Sequence, residues 1–73
     1  MRQQIDGPVR LGALLAHARD GRNETQAEVA SRAHVPRAYL STLENGKQTL
    51  ALERLFDVVD ALGARLVFEW DEP

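Results

Sequence analysis

Residues Thr25 to Lys47, TQAEVASRAHVPRAYLSTLENGK, constrain the chain more than any other stretch, because they carry start and stop signals for two short helices with few residues between them. The Thr25 hydroxyl can cap a free backbone N–H while Glu28, three residues on, reaches back to the N–H of the cap, the reciprocal arrangement of a capping box. Val29, Ala30 and Ala33 keep one narrow face of this first helix apolar, and the alanines let another helix come close. Ala33-His34-Val35 breaks the pattern. Pro36 fixes φ at a value suited to a first helical turn and disfavours helical geometry before it, so a second helix is expected to start there. On that helix Leu40 and Leu43 face inward, whereas Arg37, Ala38, Ser41 and Thr42 face outward. Gly46, within Glu44-Asn45-Gly46-Lys47, can supply a left-handed stop.

Two short helices held at a steep angle by a tight turn make a helix-turn-helix unit, whose second helix can enter the DNA major groove. The outward residues suit that role. Arg37 can donate a fork to guanine, Ser41 and Thr42 can bond base edges or phosphates, and Ala38 can touch a thymine methyl. With Thr25-Gln26 at its opening and Leu43-Glu44-Asn45-Gly46-Lys47 at its close, the segment resembles the helix-turn-helix of the phage-repressor (Cro/C1, or XRE) superfamily, and the resemblance runs from about Val9 to Leu62. It implies an all-α, lambda-repressor-like domain of four to five helices. It also implies site residues: Gln26, Asn45 and Lys47 on phosphates, joined by Tyr39 and Arg10, and Arg37, Ala38, Ser41 and Thr42 on bases. An arginine late in helix 1 pairs in that superfamily with the glutamate closing the recognition helix, which places an ion pair between Arg19 and Glu44. His34 stands where the superfamily usually has a glycine of positive φ, a conformation that histidine tolerates at modest cost.

Around this unit, residues 1–7 are polar and end in the turn signal Asp6-Gly7-Pro8, so a loose arm is expected. Leu11, Leu14, Leu15 and Ala18 then fall at helical spacing, with Pro8 suited to the first turn and Asp20-Gly21-Arg22-Asn23 as the close. This helix is expected to offer Arg10, Arg19 or Arg22 to a phosphate strand. After Lys47, a helix with Leu52, Leu55, Phe56, Val59 and Leu62 on one face runs to Gly63, its start lying between Leu50 and Glu53 with Thr49 as a cap. Val58 and Ala61 lie beside that stripe. Residues 8–63 form the helical domain. Residues 64–70, ARLVFEW, change period, and the alternation of Leu66, Phe68 and Trp70 against Arg65, Val67 and Glu69 is that of a half-buried strand. A lone strand needs a partner for its backbone groups, either the N-terminal arm or the same strand of a second molecule. The second is the expectation, because an antiparallel pair of identical strands obeys two-fold symmetry and adds core. Residues 71–73 are expected to be a solvated tail.

Helices followed directly by a strand that makes an intermolecular sheet resemble the small HipB-type antitoxins, which dimerise on palindromic operators and pair with a HipA-type kinase toxin. Composition bears on this. With 73 residues the chain is close to the size at which one core barely suffices, since ordering costs about 1.5 kcal/mol per residue, and an oligomer would help. The net charge of −2 is segregated: residues 10–47 hold six Lys or Arg against four acids, and the remainder three against seven. Cysteine is absent, which excludes disulfides and thiolate metal sites, and no apolar run is long enough to span a membrane. His17 and His34 lie on different elements and have no companions for a metal or catalytic set, so no catalytic residue, metal or cofactor is expected. The expectation is a dimeric, cytoplasmic, nucleoid-associated repressor of double-stranded DNA, the autoregulating antitoxin of a HipBA-like pair. The alternatives are a phage-type or metabolic repressor without a toxin, or a protein-interaction module that no longer reads DNA.

Overall fold

The computed structural model describes residues 1–72, arranged as β1 (Arg2–Ile5), α1 (Pro8–Gly21), α2 (Gln26–Ala33), α3 (Arg37–Glu44), α4 (Leu50–Ala61) and β2 (Leu66–Glu69). Local chemistry sets most of these boundaries. Pro8 opens α1 directly after Gly7, where its missing N–H costs no helical bond. At the start of α2 both halves of the capping box form: the Thr25 hydroxyl accepts from the Glu28 N–H at 3.1 Å, and the Thr25 N–H donates to Glu28 Oε1 at 2.9 Å. His34 closes α2 in the left-handed region, at φ 60° and ψ 39°. Pro36, in extended geometry, stands just outside α3 rather than within its first turn. Gly46 (φ 70°) and Gly63 (φ 66°) end α3 and α4, and Thr49 caps α4 by accepting from the Leu52 N–H.

Gly12 decides how α1 meets the helix-turn-helix pair. A Cβ there would run into the carbonyl oxygens of Leu43 and Glu44 and the Gly46 nitrogen, so α1 lies with its backbone against the end of α3. Gly46, itself buried, packs against Val9, whose Cα a Cβ on Gly46 would meet. Leu14, Phe56 and Ile5 form the main core, flanked by Leu11, Leu66, Phe68 and Trp70. The Trp70 ring meets His17 edge-on at 5.7 Å and Phe68 at 5.4 Å.

Three expectations require correction. The N-terminal arm is not loose: Arg2–Ile5 pairs antiparallel with β2 in the register Arg2↔Glu69, Gln3↔Phe68, Gln4↔Val67 and Ile5↔Leu66, and Ile5 is buried. Within the chain, therefore, β2 takes its partner from the arm, which fills one of its two edges. The second correction concerns α4. Phe56 is buried and Leu52 and Val59 are half-buried, but Leu55 and Leu62 are exposed, as is Val58. One chain covers only part of the apolar stripe. Ala33, expected to face inward on α2, is exposed as well.

Candidate nucleic-acid interface

At the junction of α1, α2 and α3 the polar side chains form one connected network. Arg19 grips Glu44 with a two-pronged contact, Nε to Oε2 at 2.7 Å and Nη2 to Oε1 at 2.8 Å, and its third nitrogen donates to the Glu24 carbonyl at 2.8 Å. Only 6% of the Glu44 side chain remains exposed. The hydrogen bonds from Arg19 hold its carboxyl below the usual carboxylate range, against the desolvation that would raise it, and the bond from Gln26 helps. Reciprocally, those bonds raise the Arg19 guanidinium.

Gln26, the first residue of α2, connects this pair to the recognition helix. Its Nε2 donates to Glu44 Oε1 at 3.0 Å, and its Oε1 accepts from Arg37 Nη1 at 3.2 Å. Donor chemistry dictates this orientation. An ionised carboxylate can only accept and a guanidinium can only donate, so an amide between them must turn its nitrogen to Glu44 and its oxygen to Arg37. One amide hydrogen of Gln26 and most of the Arg37 fork stay available.

Arg37, Ala38 and Tyr39 are exposed on α3, and Asn45 and Lys47 are exposed just beyond it. Ser41 and Thr42 are half-buried rather than fully outward, and the Thr42 hydroxyl donates to the Ala38 carbonyl at 2.9 Å, which leaves it only acceptor capacity toward a ligand. Arg10 is exposed on the first turn of α1, next to Val9, and the contact of Val9 with Gly46 brings that turn to the Asn45–Lys47 loop.

Charge pairing sharpens the crude count. Glu24 is clamped between Arg22 Nε at 2.5 Å and Arg32 Nη1 at 2.6 Å, and its carboxyl is lowered by Arg32 first and Arg22 second. Arg19 also reaches Asp20. Glu28 is spent on the capping box, whose backbone N–H lowers its carboxyl. All four acids of residues 10–47 are thus occupied, as are three of the six cations. Arg19 and Arg22, offered by the sequence as phosphate contacts, belong to these internal pairs. Of the six cations of residues 10–47, Arg10, Arg37 and Lys47 have no carboxylate partner among the described residues, and all three belong to α1's first turn, α3 or the loop after it; elsewhere Arg54 on α4 and Arg65 before β2 are likewise unpaired. Sequence reasoning missed the Gln26–Arg37 bond and the Glu24 clamp, since no local spacing marks either.

No group of three or more His, Cys, Asp or Glu able to hold a metal ion occurs among the described residues, and no helix there is long and apolar enough to cross a membrane. A short helix presented outward by a braced partner helix, with free cations around it, defines a DNA-binding helix-turn-helix domain. A family model described as a helix-turn-helix domain matches residues 10–67, most of the chain, and the chain belongs to that family. No curated protein matches it, and no solved structure does.

Proposed function

We propose that this protein is a sequence-specific transcriptional repressor that binds a palindromic operator as a homodimer, and that it serves as the autoregulating antitoxin of a HipBA-like pair, cytoplasmic and nucleoid-associated, with a HipA-type kinase as partner. The observation that carries the DNA reading is the set of unpaired cations, Arg10, Arg37 and Lys47, gathered around α3, whose one acid, Glu44, is held by Arg19. Two copies of α3, about 34 Å apart, enter successive major grooves on one face of the duplex. Arg37 selects a base and Ala38, Ser41 and Thr42 complete the reading surface. Gln26, Tyr39, Asn45, Lys47 and Arg10 hold the phosphates and set the register. Occupying the promoter then excludes polymerase without any catalytic step. The toxin partnership rests on the combination of a small helix-turn-helix domain and a terminal strand, and is the more distant step.

Fluorescence anisotropy with a duplex from the promoter of the protein's own gene, at several salt concentrations and with scrambled competitor, tests the reading. Tight binding that falls steeply with salt and resists the competitor is expected. Equal affinity for both duplexes from a folded protein would sink sequence-specific repression at that site and favour an interaction module. For the toxin, co-purification with the product of an adjacent kinase-like gene is expected; its failure leaves a repressor without a toxin.

A further inference from the structure

We propose that the cavity between α1, α2 and α3 is a binding site for a small monocarboxylic acid whose apolar body is about one ring or a short branched chain in size, and that its occupation is felt by the recognition helix. The site itself stands apart from the DNA reading; only its effect on the operator rests on that reading.

Helical spacing makes the cavity. Leu15 and Ala18 on α1, Val29 on α2 and Leu40 on α3 converge on a space of about 190 Å³. Leu40 is buried and the other three are half-buried, so the apolar lining stays partly open to solvent. An apolar cavity of about 150 Å³ holds one benzene ring, and larger ligands need roughly 300 Å³ or more, so the space matches a body of ring size. No buried side-chain nitrogen or oxygen among the described residues lacks a hydrogen-bond partner, and nothing at the inner end therefore calls for a polar group on the ligand. Atoms that line a void forgo dispersion contacts, which such a body restores.

The rim sets the charge of the ligand. Arg22, just past α1, and Arg32, in the last turn of α2, line the same cavity and are mostly exposed. These two guanidiniums share one carboxylate, Glu24, which Arg22 meets through Nε and Arg32 through Nη1. Asp20 is turned to Arg19 and Glu28 to the Thr25 N–H, and neither bridges the pair. A guanidinium carries five N–H donors, so most of both forks is left for a further anion. Glu24 already shows that a carboxylate fits between them. A cationic head would meet three guanidiniums, Arg19 included, against the single lining carboxylate of Glu44.

Glu44 also gives the site its reach. It lines the cavity, accepts from Gln26 Nε2, and through Gln26 is joined to Arg37. A ligand resting against Leu40 and Glu44 therefore touches α3 and the first link of the chain that steers Arg37. If ligand and operator favour the same placement of α3, each tightens the binding of the other by the same factor.

Benzoate is the probe. In amide proton–nitrogen correlation spectra of the full chain, the signals of Leu15, Val29 and Leu40 should move along one saturable curve, with a dissociation constant on the order of a millimolar. Benzyl alcohol, similar in size but neutral, should bind about fivefold more weakly, and Arg32→Gln, which leaves Glu24 paired with Arg22, should weaken benzoate about threefold. Ala18→Leu fills the cavity from a half-buried position and should keep its melting temperature while losing the benzoate response. At constant ionic strength, saturating benzoate should tighten the wild type on its promoter duplex about fivefold. Shifts that grow without saturating, or a folded Ala18→Leu variant that binds benzoate like the wild type, overturn the site. Where Ala18→Leu fails to fold, Arg32→Gln decides, because its side chain is exposed and its loss removes no core contact. Equal affinity for benzyl alcohol overturns the anionic head. Saturable binding with an unchanged operator curve overturns the coupling alone, whereas a protein that binds benzoate but no promoter duplex overturns the DNA reading and leaves the site standing.

Discussion

The two halves of this molecule are held together by different chemistry. Where α1, α2 and α3 meet, directional contacts dominate: a two-pronged Arg19–Glu44 pair, a reciprocal capping box and a glycine that lets backbone touch backbone. Where α4 meets the sheet, an apolar cluster of Ile5, Leu14 and Phe56 carries the fold and leaves Leu55, Val58 and Leu62 in solvent. Directional bonds fix geometry to within fractions of an ångström, which suits a surface that must match base edges. Apolar contact is tolerant of position and grows with area. The Arg19–Glu44 side has its charges satisfied within one chain, whereas the α4 side leaves apolar side chains exposed.

The largest break in this contrast is expected at Gly12. Gly12→Ala drives a methyl into the backbone of Leu43, Glu44 and Gly46, where no side chain can swing aside, and should cost about 3 kcal/mol in urea unfolding. An alanine in the exposed part of α4, such as Val58→Ala, should cost the folded monomer little by comparison.

Glu44→Gln comes next, at about 2 kcal/mol near neutral pH, since it leaves a mostly buried Arg19 without its counter-charge. Its sign with pH is fixed by the lowered carboxyl. A group held below its ordinary value in the folded state contributes stability above that ordinary value and loses it as pH falls through the folded value. Thermal melts from pH 7 downward should therefore show acid loss in the wild type that is smaller in the variant. Parallel curves would mean that Glu44 titrates alike in both states.

Arg37→Ala tests the reading face without touching its frame. It should cost about 1 to 3 kcal/mol at the cognate operator, relax the preference at one base pair per half-site, and leave the melting temperature unchanged. Gln26→Ala should reproduce part of that relaxed preference, because it removes the acceptor that steers the Arg37 guanidinium. A uniform loss on every sequence would make Gln26 a phosphate contact only. Selection from a randomised duplex separates the two outcomes.

What could be read from the chain follows the same division. The helices announce themselves locally: Thr25 with Glu28, Gly46 and Gly63 act within a few residues, so a linear sequence displays them. β1 does not. Arg2–Ile5 is RQQI, with one apolar residue and no alternation, and it becomes a strand because β2, near the far end of the sequence, supplies a ladder. On α4 the periodicity identifies a stripe but cannot say how much of it a single chain covers, which is why Leu55 and Leu62 pass for core. In the site, Arg19 and Glu44 are tied 25 residues apart, a separation that only the resemblance made visible. Formal charge misleads in a related way. Six cations against four acids looks like a weak excess until the pairs are resolved, and then three free cations stand around one helix.

The smallest effect is expected at the turn. His34 holds φ 60° and ψ 39°, a left-handed conformation that costs an ordinary L-residue about 1 to 2 kcal/mol. Its side chain is exposed, so removing it sacrifices no core contact. His34→Gly relieves that cost but gives the unfolded chain more freedom, worth about 0.4 to 1 kcal/mol. The difference is a net stabilisation of about 0.5 kcal/mol, within reach of chemical denaturation if both curves share one slope. The turn should keep its path, because the N–H groups of His34 and Val35 already bond to Ser31 and Ala30 and do not depend on the side chain. Operator affinity should then be unchanged. A destabilised variant would show that the imidazole contributes to the turn, and a weakened operator complex with unchanged stability would place it against DNA.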